Sequence, residues 1–156
     1  MQHKIESLDC LRKMVGEDLG STQWHQISQK TIDAFADVTG DTERIHLDPR
    51  AAEQQNLNST IAHGLFVLSL GPKLLYELMS VQGYSRVLNY GYEKVRFLAP
   101  IPVNSSVRMR AKIAEERPTE GGSIIMFEQT FELMHPNGEI LSKPACYAEA
   151  VVVYFD

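Results

Sequence analysis

Between His63 and about Met79 the chain is apolar on nearly every side, through Leu65, Phe66, Val67, Leu68, Leu70, Leu74, Leu75, Leu78 and Met79. A helix of that kind cannot rest on a surface; other elements must enclose it. The material to do so follows directly. After Gly83 the hydrophobic period changes from helical to alternating, and Val107, Met109, Ala111 and Ile113 take turns with Arg108, Arg110, Lys112 and Ala114. One buried helix preceding an antiparallel meander predicts an α+β architecture in which a sheet covers the helix.

Local signals divide the rest. Ile5 to Val15 reads as a short helix ended near Gly16, and Thr22 to Ile27 as a short strand around Trp24. Ser28 offers an N-cap oxygen, Ile32, Phe35, Ala36 and Thr39 recur at helical spacing, and Gly40 suits the C′ position. Asp41 to Leu47 is then expected as a loop. Asp48-Pro49 marks the start of another short helix, an N-cap with proline at N1. Pro72 removes a backbone donor and should bend the central helix. Arg86 to Leu98 reads as a strand bulged at Gly91, Glu116 to Gly122 as a turn, and His135-Pro-Asn-Gly138 as a hairpin turn before a last strand, Lys143 to Phe155. The whole, residues 1–156, is expected to be one domain, with 1–15 a peripheral N-terminal helix.

Composition narrows the partners. With 15 basic against 20 acidic residues the net charge is −5, and no dense Lys/Arg run appears, so no nucleic acid and no anionic membrane surface is expected as a partner. The most apolar stretch contains Lys73, Glu77 and Gly71-Pro72, which suits a core helix and not a membrane span. The segment from Met1 to Leu19 has no secretory apolar region. Cys10 and Cys146 form no metal-ligand spacing and read as free thiols in a reducing compartment. A cytoplasmic protein is the expectation.

The chemistry concentrates in Phe35-Ala-Asp-Val-Thr-Gly-Asp-Thr-Glu-Arg-Ile-His46 and Ile61-Ala-His-Gly64. Asp41 and His46 place a carboxylate and an imidazole beyond a helix end, able to hold one water and shuttle its protons. Gly64 opens a helix, where amides lack intrahelical acceptors and can receive a developing oxyanion. Such a set suits hydration of a double bond conjugated to a thioester carbonyl. From spacing alone a turn aspartate and a hydrogen-bonded core histidine fit equally well, and His63 fits a helix cap.

Phe35-x-x-Val-Thr-Gly-Asp-x-x-x-x-His46 with Ile-Ala-His-Gly64 resembles the motif of the MaoC-like (R)-specific enoyl-CoA hydratases. Gly16-Glu-Asp-Leu-Gly20, Leu88-Asn-Tyr-Gly91, Lys94-Val-Arg-Phe97 and Lys143-Pro-Ala-Cys146 extend the likeness to the NodN-like branch. The resemblance implies a hot-dog fold, a long central helix wrapped by a curved antiparallel sheet, in a homodimer with the site at the subunit interface. It implies Asp41 and His46 as the catalytic pair and the Gly64 amide as oxyanion donor, with His63 a further contact. The substrate would be an acyl thioester, with coenzyme A or an acyl carrier entering as part of it and no metal or redox cofactor. Lys94, Arg96 and Lys143 are candidates for the coenzyme phosphates, or simply solvated cations. Tyr90 and Tyr92 are candidates for an acyl tunnel, or for packing.

One departure stands out. Between acid and base the family has Asn-Pro, or Gln-Trp in the NodN-like branch, where this chain has Glu43-Arg44. Arg44 could attract an acidic substrate, act on Asp41, or pair with Glu43. Two rivals share the scaffold: a thioesterase, whose water attacks the carbonyl, and a non-catalytic acyl-thioester-binding dimer.

Overall fold

The structure, a computed structural model, describes residues 2–156. In chain order its elements are β1 (His3–Ile5), α1 (Leu8–Lys13), β2 (Asp18–Ser21), β3 (His25–Gln26), α2 (Gln29–Thr39), α3 (Arg44–Leu47) and α4 (Pro49–Gln54). Then follow α5 (Gly64–Ser69), α6 (Gly71–Leu78), β4 (Met79–Val81), β5 (Arg86–Phe97), β6 (Ser106–Thr119), β7 (Gly122–Met134) and β8 (Cys146–Phe155).

The main sheet is antiparallel, in the order β2-β6-β7-β8-β5, with β3 also on β6. The expected meander is therefore only β6-β7-β8. Strand β5 lies beyond β8, pairing Val87 with Tyr154 and Phe97 with Cys146. That crossover puts β5, the first strand of the main sheet after the helix, at the sheet's end. Along β7 the inward row is Ile125, Phe127, Gln129, Phe131 and Leu133, all buried against the helical layer. Val67, Leu74, Leu75 and Leu78 meet it in one continuous core.

The central helix is two helices. α5 ends at Leu70 and α6 begins at Gly71, with Pro72 in its first turn. Without an N–H, Pro72 cannot continue the α5 ladder, and the interruption falls where the missing donor requires it. Nor is the rod enclosed all round in one chain: Leu65 is 59% and Tyr76 65% exposed.

Strand β5 keeps its inner face through two bulges. Its register shifts between Asn89 and Gly91 and again between Tyr92 and Lys94. Each inserts one residue, so Val87, Asn89, Tyr92, Val95 and Phe97 all oppose inward positions of β8. The first bulge is the expected one, at Gly91, whose φ of 156° favours glycine. The second has no such marker.

The N-terminal segment differs from expectation. His3–Ile5 form β1, parallel to β4 through His3–Met79 and Ile5–Val81, and α1 starts only after the Ser7 cap. Ile5, Leu8 and Leu11 are buried in the main core, so this segment closes the helical layer rather than decorating it. Likewise the strand expected over Thr22 to Ile27 is reduced to β3, His25–Gln26, and Thr22 to Trp24 runs irregularly between it and β2. Strand β6 runs on to Thr119, so the turn is shorter than the expected Glu116 to Gly122.

Candidate active site

Helix α2 delivers the acid. Its Ser28 side chain accepts from the Thr31 amide, and Gly40, left-handed at φ 75°, closes it by donating to the Ala36 carbonyl. The next residue is Asp41, whose Oδ1 receives the Glu43 amide at 3.5 Å. In the single chain this carboxylate is exposed.

The expected loop then tightens into α3, a single turn carrying His46. Asp48 ends that turn and also caps α4, accepting from the Arg50 amide. Arg44 pairs with Asp48 at 2.6 Å and not with Glu43. This guanidinium and the Arg50 amide hold the Asp48 carboxyl below its usual range, the Arg44 bond being the larger cause. Gln29 fastens the turn from α2, donating to the His46 carbonyl at 2.8 Å while accepting from Thr60 at 2.6 Å.

His46 is 9% exposed, and its Nδ1 lies 2.8 Å from the Ile61 carbonyl oxygen. A carbonyl only accepts, so Nδ1 carries the proton and Nε2 is left with a lone pair. His63, the N-cap of α5, is oriented by the same logic. Its Nε2 meets the Asp41 carbonyl oxygen at 2.9 Å, so its Nδ1 holds the lone pair, buried and without a protein partner. The two rings stack at 3.8 Å between centroids, 26° from parallel, and Phe35 covers His63 at 5.0 Å.

Asp41, His46 and His63 each bring one ligand-type atom within 4.8 Å of the others. Stacked imidazoles are poor chelators, however, because no point at bonding distance lies in both ring planes. The arrangement suits a water held between Asp41 and His46 better, since two hydrogen bonds of about 2.8 Å span such a gap.

These residues line one cavity of about 340 Å³ with Ile61, Gly64, Phe97 and Ala145. Gly64 is there for a steric reason. A Cβ on it would stand 2.8 Å from the Phe97 ring, which packs flat on the start of α5. Its amide lies in the first turn, where no intrahelical acceptor exists.

The structure thus brings together Asp41, His46, His63 and Gly64. Lys94, Arg96 and Lys143 do not line the cavity. Lys94 and Arg96 oppose Glu149 and Tyr147, on the outer face of the sheet, and Lys94 rests over the Tyr147 ring. Tyr90 is an exposed bulge residue, whereas Tyr92 faces inward. Sequence reasoning missed Gln29 and the wedge formed by Phe97. Gln29 carries no signal, because its partners lie across a tertiary contact.

The family model described as MaoC like domain matches residues 11–130. The chain is 38% identical over 151 residues to 3-hydroxyacyl-thioester dehydratase Z of Mycobacterium tuberculosis (strain ATCC 25618 / H37Rv), covering 96% of this chain and 97% of that protein. It is 35% identical over 155 residues to nodulation protein N of Rhizobium leguminosarum bv. viciae, covering 96% and 92%. Among solved structures, the (R)-hydratase from A. caviae aligns with a TM-score of 0.68 at 24% identity, covering 88% of this chain and 94% of that one. With its helix held against an antiparallel sheet and an Asp41–His46 pair at the helix tip, the chain belongs to the MaoC-like dehydratase family, on its NodN-like branch, and has the hot-dog fold.

Proposed function

We propose that this protein is a hydratase–dehydratase that interconverts trans-2-enoyl and (R)-3-hydroxyacyl thioesters. The observation that carries the reading is the orientation of His46: its Nδ1 meets the Ile61 carbonyl, which leaves Nε2 free of that bond in a cavity that Asp41 and Gly64 also line. It is supported by 38% identity over nearly the whole chain to a protein named as a 3-hydroxyacyl-thioester dehydratase.

In the hydration direction His46 takes a proton from the water as its oxygen bonds to the β-carbon. The electron pair of the double bond moves towards the carbonyl, and the growing negative charge on that oxygen is met by the Gly64 N–H. Asp41, holding the same water, relays that proton from His46 to the α-carbon, so the hydroxyl and the hydrogen that are added both come from one water and the pair ends as it began. Dehydration runs the same steps backwards.

Asp41 is exposed in one chain and would gain cover from the substrate and from a second subunit; the exposed Leu65 and Tyr76 support a homodimer joined through the helical layer. Coenzyme A or an acyl carrier enters with the substrate, and the steps above call on no resident metal or redox group. Among the described residues no helix is long and apolar enough to cross a membrane. The free Cys10 and Cys146 accord with a cytoplasmic setting.

Crotonyl-CoA incubated with the protein should lose its enoyl absorbance and yield the (R)-alcohol. Release of free thiol without loss of the double bond would instead identify a thioesterase, and no turnover at any chain length would leave a binding protein.

A further inference from the structure

A second cavity, of about 80 Å³, lies under α6, with Leu75, Tyr92, Gln129, Ala150 and Tyr154 among its walls. It lies further along the same two strands, β5 and β8, than the first. Between the two, the inner row of β8 is Cys146, Ala148 and Ala150, facing Phe97, Val95 and Tyr92 of β5. These β8 side chains are small and buried beneath the helical layer, so little bulk separates the two cavities. From Ala145 at the first cavity to Ala150 at the second the strand covers about 16 Å. On the helical side Gly64 to Leu75 covers about the same distance.

Gln129 is out of place here. Its neighbours in the inward row of β7 are Ile125, Phe127, Phe131 and Leu133, whereas Gln129 is a 2% exposed carboxamide whose Oε1 meets no protein donor. The helical layer makes room for it, since a Cβ on Gly71 would stand 2.9 Å from that oxygen. A buried acceptor without a donor is costly and calls for an explanation. Nearby, burial raises the phenol pKa of both Tyr92 and Tyr154, so both stay neutral and able to donate or accept.

Resting on the hydratase reading above, we propose that this cavity receives the far part of a medium-chain acyl group, and that Gln129 selects chains bearing a hydroxyl there. The hydroxyl donates to the free Gln129 carbonyl and can accept from a tyrosine. A methyl-ended chain of the same length leaves the Gln129 carbonyl unpaired in a site from which water has been displaced. Sites built to hydrogen-bond a group discriminate against analogues that lack it.

The test compares initial rates on crotonyl-CoA, trans-2-decenoyl-CoA and the ω-hydroxy form of the latter. Wild type should favour the ω-hydroxy chain over the plain one by about tenfold in kcat/KM. In Gln129→Met, which keeps length but removes the amide, the preference should vanish or reverse. A wild-type preference at or below unity overturns the proposal, as does a preference that Gln129→Met leaves intact. Should Gln129→Met fail to fold, Tyr92→Phe serves: a narrowed preference supports the proposal, and an unchanged one overturns it. Crotonyl-CoA separates the two levels. If it is hydrated while the long chains show no preference, only this assignment falls; if it is not hydrated, the hydratase reading falls and takes this assignment with it.

Discussion

His63 lies flat against His46, and through its other edge it holds the backbone carbonyl of Asp41. One buried ring thus touches both residues. In the mechanism proposed above His63 therefore serves as a positioning residue, beyond the helix cap its place before Gly64 suggests.

Removing this ring should loosen both partners. His63→Ala should lower kcat by about tenfold or more, the worth of one lost hydrogen bond and a lost packing surface, with a smaller change in KM. His63→Gln, able to donate to the Asp41 carbonyl, should recover part of the loss. Steady-state kinetics on crotonyl-CoA with a thermal melt for each variant checks this. Equal kcat in all three would remove His63 from the site.

Asp41→Asn and His46→Ala should each lose between 10² and 10⁴ in kcat, the range for removing a general acid or base. Their effects should not multiply in the double variant, because the two groups share one water. Stability should change little for Asp41→Asn, since the carboxylate is exposed and in no ion pair among the described residues. Single-turnover rates and chemical denaturation would separate these two readouts.

Gly64→Ala sets a methyl against the Phe97 ring at 2.8 Å. The ring is half exposed and can swing aside, so the fold should survive while the oxyanion amide is displaced or obstructed. A fall in kcat of about a hundredfold is expected, as for loss of an oxyanion donor. Adding Phe97→Leu should restore part of the rate. If Gly64→Ala is as fast as wild type, the amide has no role in charge stabilisation.

Alkaline pH should unfold the protein through its buried acids. Burial raises the Cys146 thiol from 9.0 to about 11 and moves the Tyr154 phenol in the same direction. Both groups are neutral when protonated, so as pH rises through the unfolded-state values the unfolded chain loses protons that the folded one keeps. Stability is therefore full below about pH 9 and falls above it, by roughly 2 kcal/mol from Cys146 alone by about pH 11. Cys146→Ala should flatten that fall in urea titrations at pH 8 and 10.5. In the same samples a thiol reagent should modify exposed Cys10 at once and buried Cys146 only on unfolding.

What could be read in advance was whatever local chemistry decides. Ser28, Gly40, Asp48-Pro49 and the Gly91 bulge each follow from one residue's own donor, acceptor or φ preference, and all appear where expected. The apolar helical segment and the alternating strands follow from periodicity, although the segment breaks at Gly71 and leaves Leu65 and Tyr76 exposed. The placing of β5 across β8 did not, because nothing local to Arg86–Phe97 names its partner. For the same reason the local pattern around Ile5 reads as helix, although Val81 draws it into a parallel pair. At the site, the motif located Asp41 and His46. Which imidazole nitrogen is free depends on the Ile61 carbonyl, and the pairing of Arg44 with Asp48 depends on the extra turn of α3.

The acceptor that orients His46 belongs to the main chain. Whatever amino acid occupies position 61 still presents a carbonyl, so point mutation there cannot erase the bond. Its placement rests instead on the clip formed where Ile61 bridges Pro102 and Ala62 donates to the Ile101 carbonyl. A substitution at position 61 therefore alters the cavity wall while the ring beside it keeps its aim. Shape and orientation at this point are set by different atoms of the same residue.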